Sequence, residues 1–186
     1  SVENFVVVTA ERPSDTVVAG PLANTVDGWI LVADQDNINE VESELQEAQT
    51  VIRLGQFSRS LGEVVEQYET SSITSNNRFD MSTQVADRIF EETEGTSVKM
   101  SAGRYLEDSI FSENTPVLLT GTNFLSDATE QYILDSDNIN GVVMIGAELG
   151  TVGEELNTAA EENGKELSVF VKYGQANVGQ GGREVQ

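Results

Sequence analysis

The sequence predicts an α/β fold: a Rossmann-like, mostly parallel sheet with helices on both faces, built from two pseudo-symmetric repeats. Three observations predict it. Short apolar, β-branched runs recur along the chain; segments with helical apolar spacing lie between them; and the run-and-helix pattern occurs twice in the same order. Short buried runs alternating with amphipathic helices are the pattern of a parallel sheet covered on both faces.

The strand-sized runs are Phe5 to Thr9, Trp29 to Ala33, Thr50 to Leu54, Ser97 to Ser101, Pro116 to Thr120, Gly141 to Ile145 and Leu167 to Tyr173. Between them Ile38, Val41, Leu45 and Ala48 recur at helical spacing, as do Leu61, Val64, Val65 and Tyr68, then Val85, Ala86, Ile89 and Phe90. Apolar residues three and four apart share one helix face, so each stripe is expected to lie on the sheet. Ser82 or a neighbour is expected to cap the third of these helices, and Ser126, followed by Glu130, to start another.

The repetition is read by setting the stretch from Gly28 beside the stretch from Thr115. Ile30, Leu31 and Val32 match Val117, Leu118 and Leu119 as a strand, and Ile38 matches Leu125 as the first apolar residue of a helix. Val51 to Leu54 then Gly55 matches Val142 to Ile145 then Gly146, after which Leu61, Gly62 and Glu63 echo Val152, Gly153 and Glu154. A strand, helix, strand, glycine and helix matching in series point to duplication. The expected organisation is a first, truncated repeat over 1–70, a second over 71–164, and a terminal strand with a polar tail or linker over 165–186, the tail including Gly179 to Gly182.

Composition excludes several classes of function. Thirty-two acidic residues stand against ten basic ones, of which only Lys99, Lys165 and Lys172 are lysines, giving a formal charge of −22. Phosphate backbones are bound through Lys and Arg clusters, so nucleic acid is not an expected partner. A folded surface this acidic repels itself unless cations screen it, which fits a salt-adapted, extracellular setting. No apolar run approaches the roughly 20 residues of a membrane span, and the chain has neither Cys nor His.

Without His, the commonest general base, metal ligand and triad member is missing. No Gly-x-Ser-x-Gly elbow, Ser-x-x-Lys pair, phosphate loop or Gly-x-Gly-x-x-Gly after a strand occurs. The expectation is therefore a protein that is not an enzyme. Asp34 with Asp36, and Asp135 with Asp137, are spaced like the first ligands of a calcium loop, but Ile38 and Ile139 stand near the next ligand places. That leaves a loose site for Ca2+ or another screening cation, and no organic cofactor. Trp29 follows Gly28 inside a strand and is expected in the core rather than as a sugar platform.

Three segments carry a family resemblance. Ser75 to Ala86 reads SNNRFDMSTQVA, Pro116 to Thr120 reads PVLLT, and Val142 to Gly146 reads VVMIG. They resemble the cell wall-binding type 2 repeat, whose copies read as an Arg-Tyr-Glu-Thr-like helix, then Pro-(Ile/Val)-Leu-Leu-Thr, then a Val-(Tyr/Val)-Ile-(Val/Ile)-Gly-Gly strand. The match runs from Ile73 to about Leu156 and, with Trp29 where proline is usual, from Val6 to Tyr68. The resemblance implies a parallel Rossmann-like sheet in each repeat, no catalysis, a bacterial or archaeal cell-surface location, assembly of repeats, and noncovalent attachment to an anionic wall polymer. Arg78, Arg88 and Arg104 are the candidates to line a polymer or interface groove. The simpler reading is a structural fork from Arg78 to backbone carbonyls or to Asp80 or Asp87.

The leading expectation is a secreted structural module that packs against copies of itself in a surface layer or filament. The second is an anchoring module that binds a wall or surface polymer, and the third a small α/β enzyme acting on a nucleotide or sugar.

Overall fold

The computed structural model describes residues 3–103, 114–172 and 182–184 of the 186-residue chain. The strands are β1 (Glu3–Thr9), β2 (Trp29–Ala33), β3 (Ala48–Leu54), β4 (Ser71–Ile73), β5 (Ser97–Ser101), β6 (Val117–Leu119), β7 (Gly141–Ile145), β8 (Ser168–Lys172) and β9 (Gly182–Glu184). The helices are α1 (Pro13–Thr25), α2 (Ile38–Leu45), α3 (Arg59–Val65), α4 (Arg78–Phe90), α5 (Asp127–Asp135) and α6 (Gly150–Glu162), and a 3-10 turn, Ala147–Leu149, precedes α6.

The strands form two sheets instead of one continuous sheet. The first has the order β2-β1-β3-β4 and the second β6-β5-β7-β8-β9. Every pairing is parallel except β8 with β9. Each sheet thus follows the same plan: an opening strand, a step to one side, then a jump across to the other. β2 corresponds to β6, β3 to β7 and β4 to β8, so the two pseudo-repeats read from sequence are two sheets of like topology.

β1 shows why the apolar runs were recognisable. Phe5 and Val7 point into a core with Val41, Leu45 and Val65 of α2 and α3. Val6 and Val8 point the other way, against Val17, Val18 and Leu22 of α1. A strand buried on both faces has no polar positions to spare and reads as an unbroken run. In the second sheet Val98, Met100, Val142, Met144 and Val169 pack on Leu125, Ile133, Val152 and Leu156.

α1 and α4 join the halves. Met81, Val85 and Ile89 of α4 share a core with α1, with Ile52 and Leu54 of β3, and with Val117 and Leu119 of β6. Ala86, on the same helix, belongs to the core of the second sheet.

Several expectations change. Helical periodicity did not reveal α1, which carries the breaker pair Gly20 and Pro21 yet is buried along most of its length; packing on β1 and β3 outweighs the local propensity. β4, with the sequence Ser71-Ser72-Ile73, is too short and polar to announce itself, and it takes the first sheet past residue 70. Within the stretch read as a tail, Gly182–Glu184 pairs with β8, while Tyr173 and the segment 174–181 lie outside the described residues. Ala48 belongs to β3 and not to the helix stripe. Trp29 is not core: it is 67% exposed on edge strand β2.

Candidate functional site

In a parallel sheet the crevice beyond the carboxyl ends of the strands, where the chain switches sides, is the usual ligand position. In the first sheet that place lies beyond β1 and β3. Gly55 ends β3 with φ +86°, and a Cβ there would run into Oδ2 of Asp15, in the first turn of α1. Asp15 is fully buried. Arg12 Nε sits 3.1 Å from its Oδ2, but neither carboxylate oxygen accepts an aligned hydrogen bond. Burial pushes the Asp15 pKa up, and the neighbouring guanidinium offsets this only in part. The equivalent glycine of the second sheet, Gly146, has φ +117°, and a Cβ there would lie 2.6 Å from Oε2 of Glu148, whose Oε1 is also buried without a hydrogen bond. Each switch point is therefore closed by a carboxylate packed on a glycine.

A more open arrangement lies on α4 and α5. Asn77 caps α4, accepting from the Phe79 and Asp80 backbone N–H groups, and Ser126 caps α5, accepting from the Thr129 N–H. Both caps border one hollow of about 290 Å3, with Phe79, Phe124, Leu125 and Asp127. At the other end Phe90 and Asp135 border a second hollow of about 390 Å3, with Asp87, Tyr132 and Asp137. The two helices thus run the same way, and their dipoles add instead of cancelling.

Arg78 and the aspartates of the far hollow reinforce that polarity, while Asp80, Asp127 and Glu130 in the first turns and Arg88 in the last turn of α4 oppose it. At the amino ends the Arg78 guanidinium lies 4.4 Å from the centre of the Phe79 ring, and Phe79 meets the exposed Phe124 edge-on at 5.8 Å. At the carboxyl ends the carboxylates of Asp87, Asp135 and Asp137 stand beside the rings of Phe90 and Tyr132. The Tyr132 hydroxyl donates to Asp87 Oδ1 at 2.7 Å. Burial, and then that hydrogen bond, push the phenol pKa far up, so Tyr132 stays protonated.

The residues singled out in the sequence fall as follows. Arg78 does not form the expected fork with Asp80 or Asp87: Asp80 accepts from Ser75 and Gln84, Asp87 accepts from Tyr132, and Arg78 lies on an aromatic face. Arg88 pairs with Glu92 at 3.0 Å, one turn along α4. Arg78 and Arg88 are separated by roughly 15 Å of helix and so do not line one groove. Arg104 lies outside the described residues.

Asp34 is used locally, its Oδ1 accepting from the backbone N–H groups of Asp36 and Asn37. Asp135 accepts from Gln131 and shares its hollow with Asp137. Among the described residues no group of three or more acidic side chains converges closely enough to hold a metal ion. Ser82 does not cap α4. It lies buried inside that helix, donates to the Phe79 carbonyl at 2.7 Å and accepts from the Leu119 N–H at 2.9 Å. Sequence reading missed Phe124 and Tyr132 and named Asp87 only as a partner for Arg78; the one signal for these neighbours was the position of α5 directly after the PVLLT strand.

Fold and site together define an α/β repeat module whose α4–α5 pair presents Arg78 at its amino end and an acidic hollow at its carboxyl end. No protein-family model matches the chain, and no curated protein matches its sequence. The fold is similar to that of Cwp6 from Clostridium difficile, with a TM-score of 0.72 and 18% sequence identity over 92% of this chain. The similarity covers 30% of the Cwp6 chain, so this chain spans less than a third of that protein's length.

Proposed function

We propose that the chain is a non-catalytic module of a cell-surface protein, a diverged relative of the cell wall-binding type 2 repeat, that packs against copies of itself in an extracellular layer or filament. The observation that carries this reading is the fold it shares with Cwp6, a cell wall protein, across nearly its whole length. The chemistry of the switch points agrees. A carboxylate packed on a glycine occupies the crevice in each repeat, where an enzyme of this architecture would hold its substrate. Assembly is favoured by the apolar side chains that stay exposed on a surface of charge −22: Trp29, Val32, Phe124 and Phe170. Trp29 and Val32 stand on the same edge strand, β2, and aromatic residues are enriched among the anchors of protein interfaces.

The test is the size of the purified chain, by light scattering and electron microscopy, across a series of NaCl and divalent-ion concentrations. Assembly requires large particles that come apart as cations are withdrawn. A monomer under every condition would refute the reading.

One observation favours a second reading. Arg78, stacked on Phe79 at two helix amino ends, suits a phosphate or carboxylate of a wall polymer. Anchoring of that kind requires the chain to co-sediment with purified cell envelopes and Arg78→Ala to release it.

A further inference from the structure

The Arg78 guanidinium at the amino end of the α4–α5 pair, with Asp80 and Asp127 in the first turns beside it, is complementary to the acidic hollow at the carboxyl end. We infer that the Arg78 end of one copy docks into the hollow formed by Asp87, Asp135 and Asp137 of the next, joining modules head to tail. The inference rests on the self-assembly proposed above and names the contact that would produce it.

Four observations lead to it. Arg78 is exposed, and among the described residues its guanidinium has no carboxylate within ion-pair distance; the Phe79 ring supports it instead. On a chain with ten basic residues and 32 acidic ones such a cation is scarce while acidic surface is abundant, so rings and shape beside the carboxylates have to single out its docking place. The acidic hollow is about 390 Å3, large enough for a guanidinium and its stem, and it offers carboxylates for the fork and two rings for the flat face. The dipoles have matching signs, since the amino ends of both helices border the hollow at Phe79, the ring that supports Arg78, and both carboxyl ends border the acidic hollow.

The contact uses different surfaces on its two sides. Knob and hollow are separated by the length of α4, about 20 Å, so each copy can give at one end and receive at the other. Head-to-tail contacts propagate into rings or open filaments and do not stop at a dimer. The rest of the surface opposes this through like-charge repulsion, which salt screens. The docked pair, enclosed by Phe79, Phe124, Phe90 and Tyr132, is screened less. Assembly is therefore expected to strengthen with salt although an ion pair sits at its centre.

The experiment is a charge swap in the full chain, read by light scattering and sedimentation under conditions where the unaltered protein assembles. Arg78→Glu alone and the double variant Asp135→Lys/Asp137→Lys alone are each expected to lose association by tenfold or more. Mixed in equal amounts they are expected to recover it, because the new Glu meets the new Lys residues. Near-UV circular dichroism checks that each variant keeps its fold; all three positions are exposed. Assembly of Arg78→Glu at the normal strength, or a mixture that stays monomeric while both variants are folded, overturns the contact and leaves self-assembly standing. An unaltered chain that never associates removes both. Loss with Arg78→Glu but not with the aspartate variant overturns the hollow as the docking place, and release of envelope-bound chain by Arg78→Glu then assigns the arginine to a polymer.

Discussion

Asp15 and Gly55 hold the first repeat closed through a contact that only a glycine allows. The positive φ at Gly55 and the carboxylate against its Cα both exclude a side chain. Gly55→Ala is expected to cost about 1–3 kcal/mol, from backbone strain and the displaced carboxylate together; denaturant unfolding measures it, and an unchanged midpoint would show that Asp15 moves aside freely. Asp15 also sets a pH dependence. Burial, its largest influence, raises the folded pKa above the ordinary carboxylate range, so the folded state favours the protonated acid more than the unfolded chain does. The stabilisation this provides is complete below the unfolded pKa and is lost as pH rises through the folded value. Asp15→Asn removes the titration, so its melting temperature should fall less than that of the unaltered chain as pH is raised from the acid range to neutrality. Parallel melting curves for the two proteins would show that the Arg12 contact cancels the burial.

Among the elements, β6 shows how an edge strand is closed without another strand. The outer N–H of Leu119 donates to Ser82 Oγ on α4 at 2.9 Å, and the Leu119 carbonyl accepts from Thr129 Oγ1 on α5 at 2.6 Å. Two helix hydroxyls thus satisfy backbone groups that would otherwise invite pairing with another chain. Ser82→Ala leaves the Leu119 N–H buried without an acceptor and is expected to cost about 1–3 kcal/mol, whereas Asn77→Ala, which removes only the α4 cap, should cost about 1 kcal/mol. Chemical denaturation of both variants gives the ordering, and the reverse ordering would mean that water replaces Ser82. The same elements show what a sequence reveals. β1, β3, β5 and β7 were legible because burial on both faces leaves unbroken apolar runs, and α5 was legible from its Ser126 cap. α1 was hidden by Gly20 and Pro21, β4 by its two serines, and Ser82 looked like a cap because serine serves equally well as a buried bridge. Arg78 was legible as a candidate but its partners were not, because Phe124 reaches Phe79 only once α4 and α5 lie side by side.

For the molecule as a whole, two like sheets are joined through α1 and α4 under a charge of −22, and the duplication was legible while the junction was not. A repeat shows itself through matching runs; packing between repeats depends on which helix faces two cores at once, as α4 does with Met81 and Ala86. The charge makes the fold as a whole sensitive to ions. Between about 0.01 M and 1 M salt the screening length falls from roughly 30 Å to 3 Å, so repulsion across the whole molecule should fade and the melting temperature should rise. One local cluster lets this be tested at a single position. Glu130 on α5 has its pKa raised first by burial, then by Glu155, Asp127 and Glu162 around it. With the folded pKa above the unfolded one, the fold favours protonated Glu130, and the benefit disappears as pH rises through the folded value. At neutral pH and low salt Glu130→Gln should therefore melt higher than the unaltered chain. Its advantage should shrink as NaCl is added, because three of the four causes are long-range charges that salt screens, and a gain independent of salt would assign the effect to burial alone.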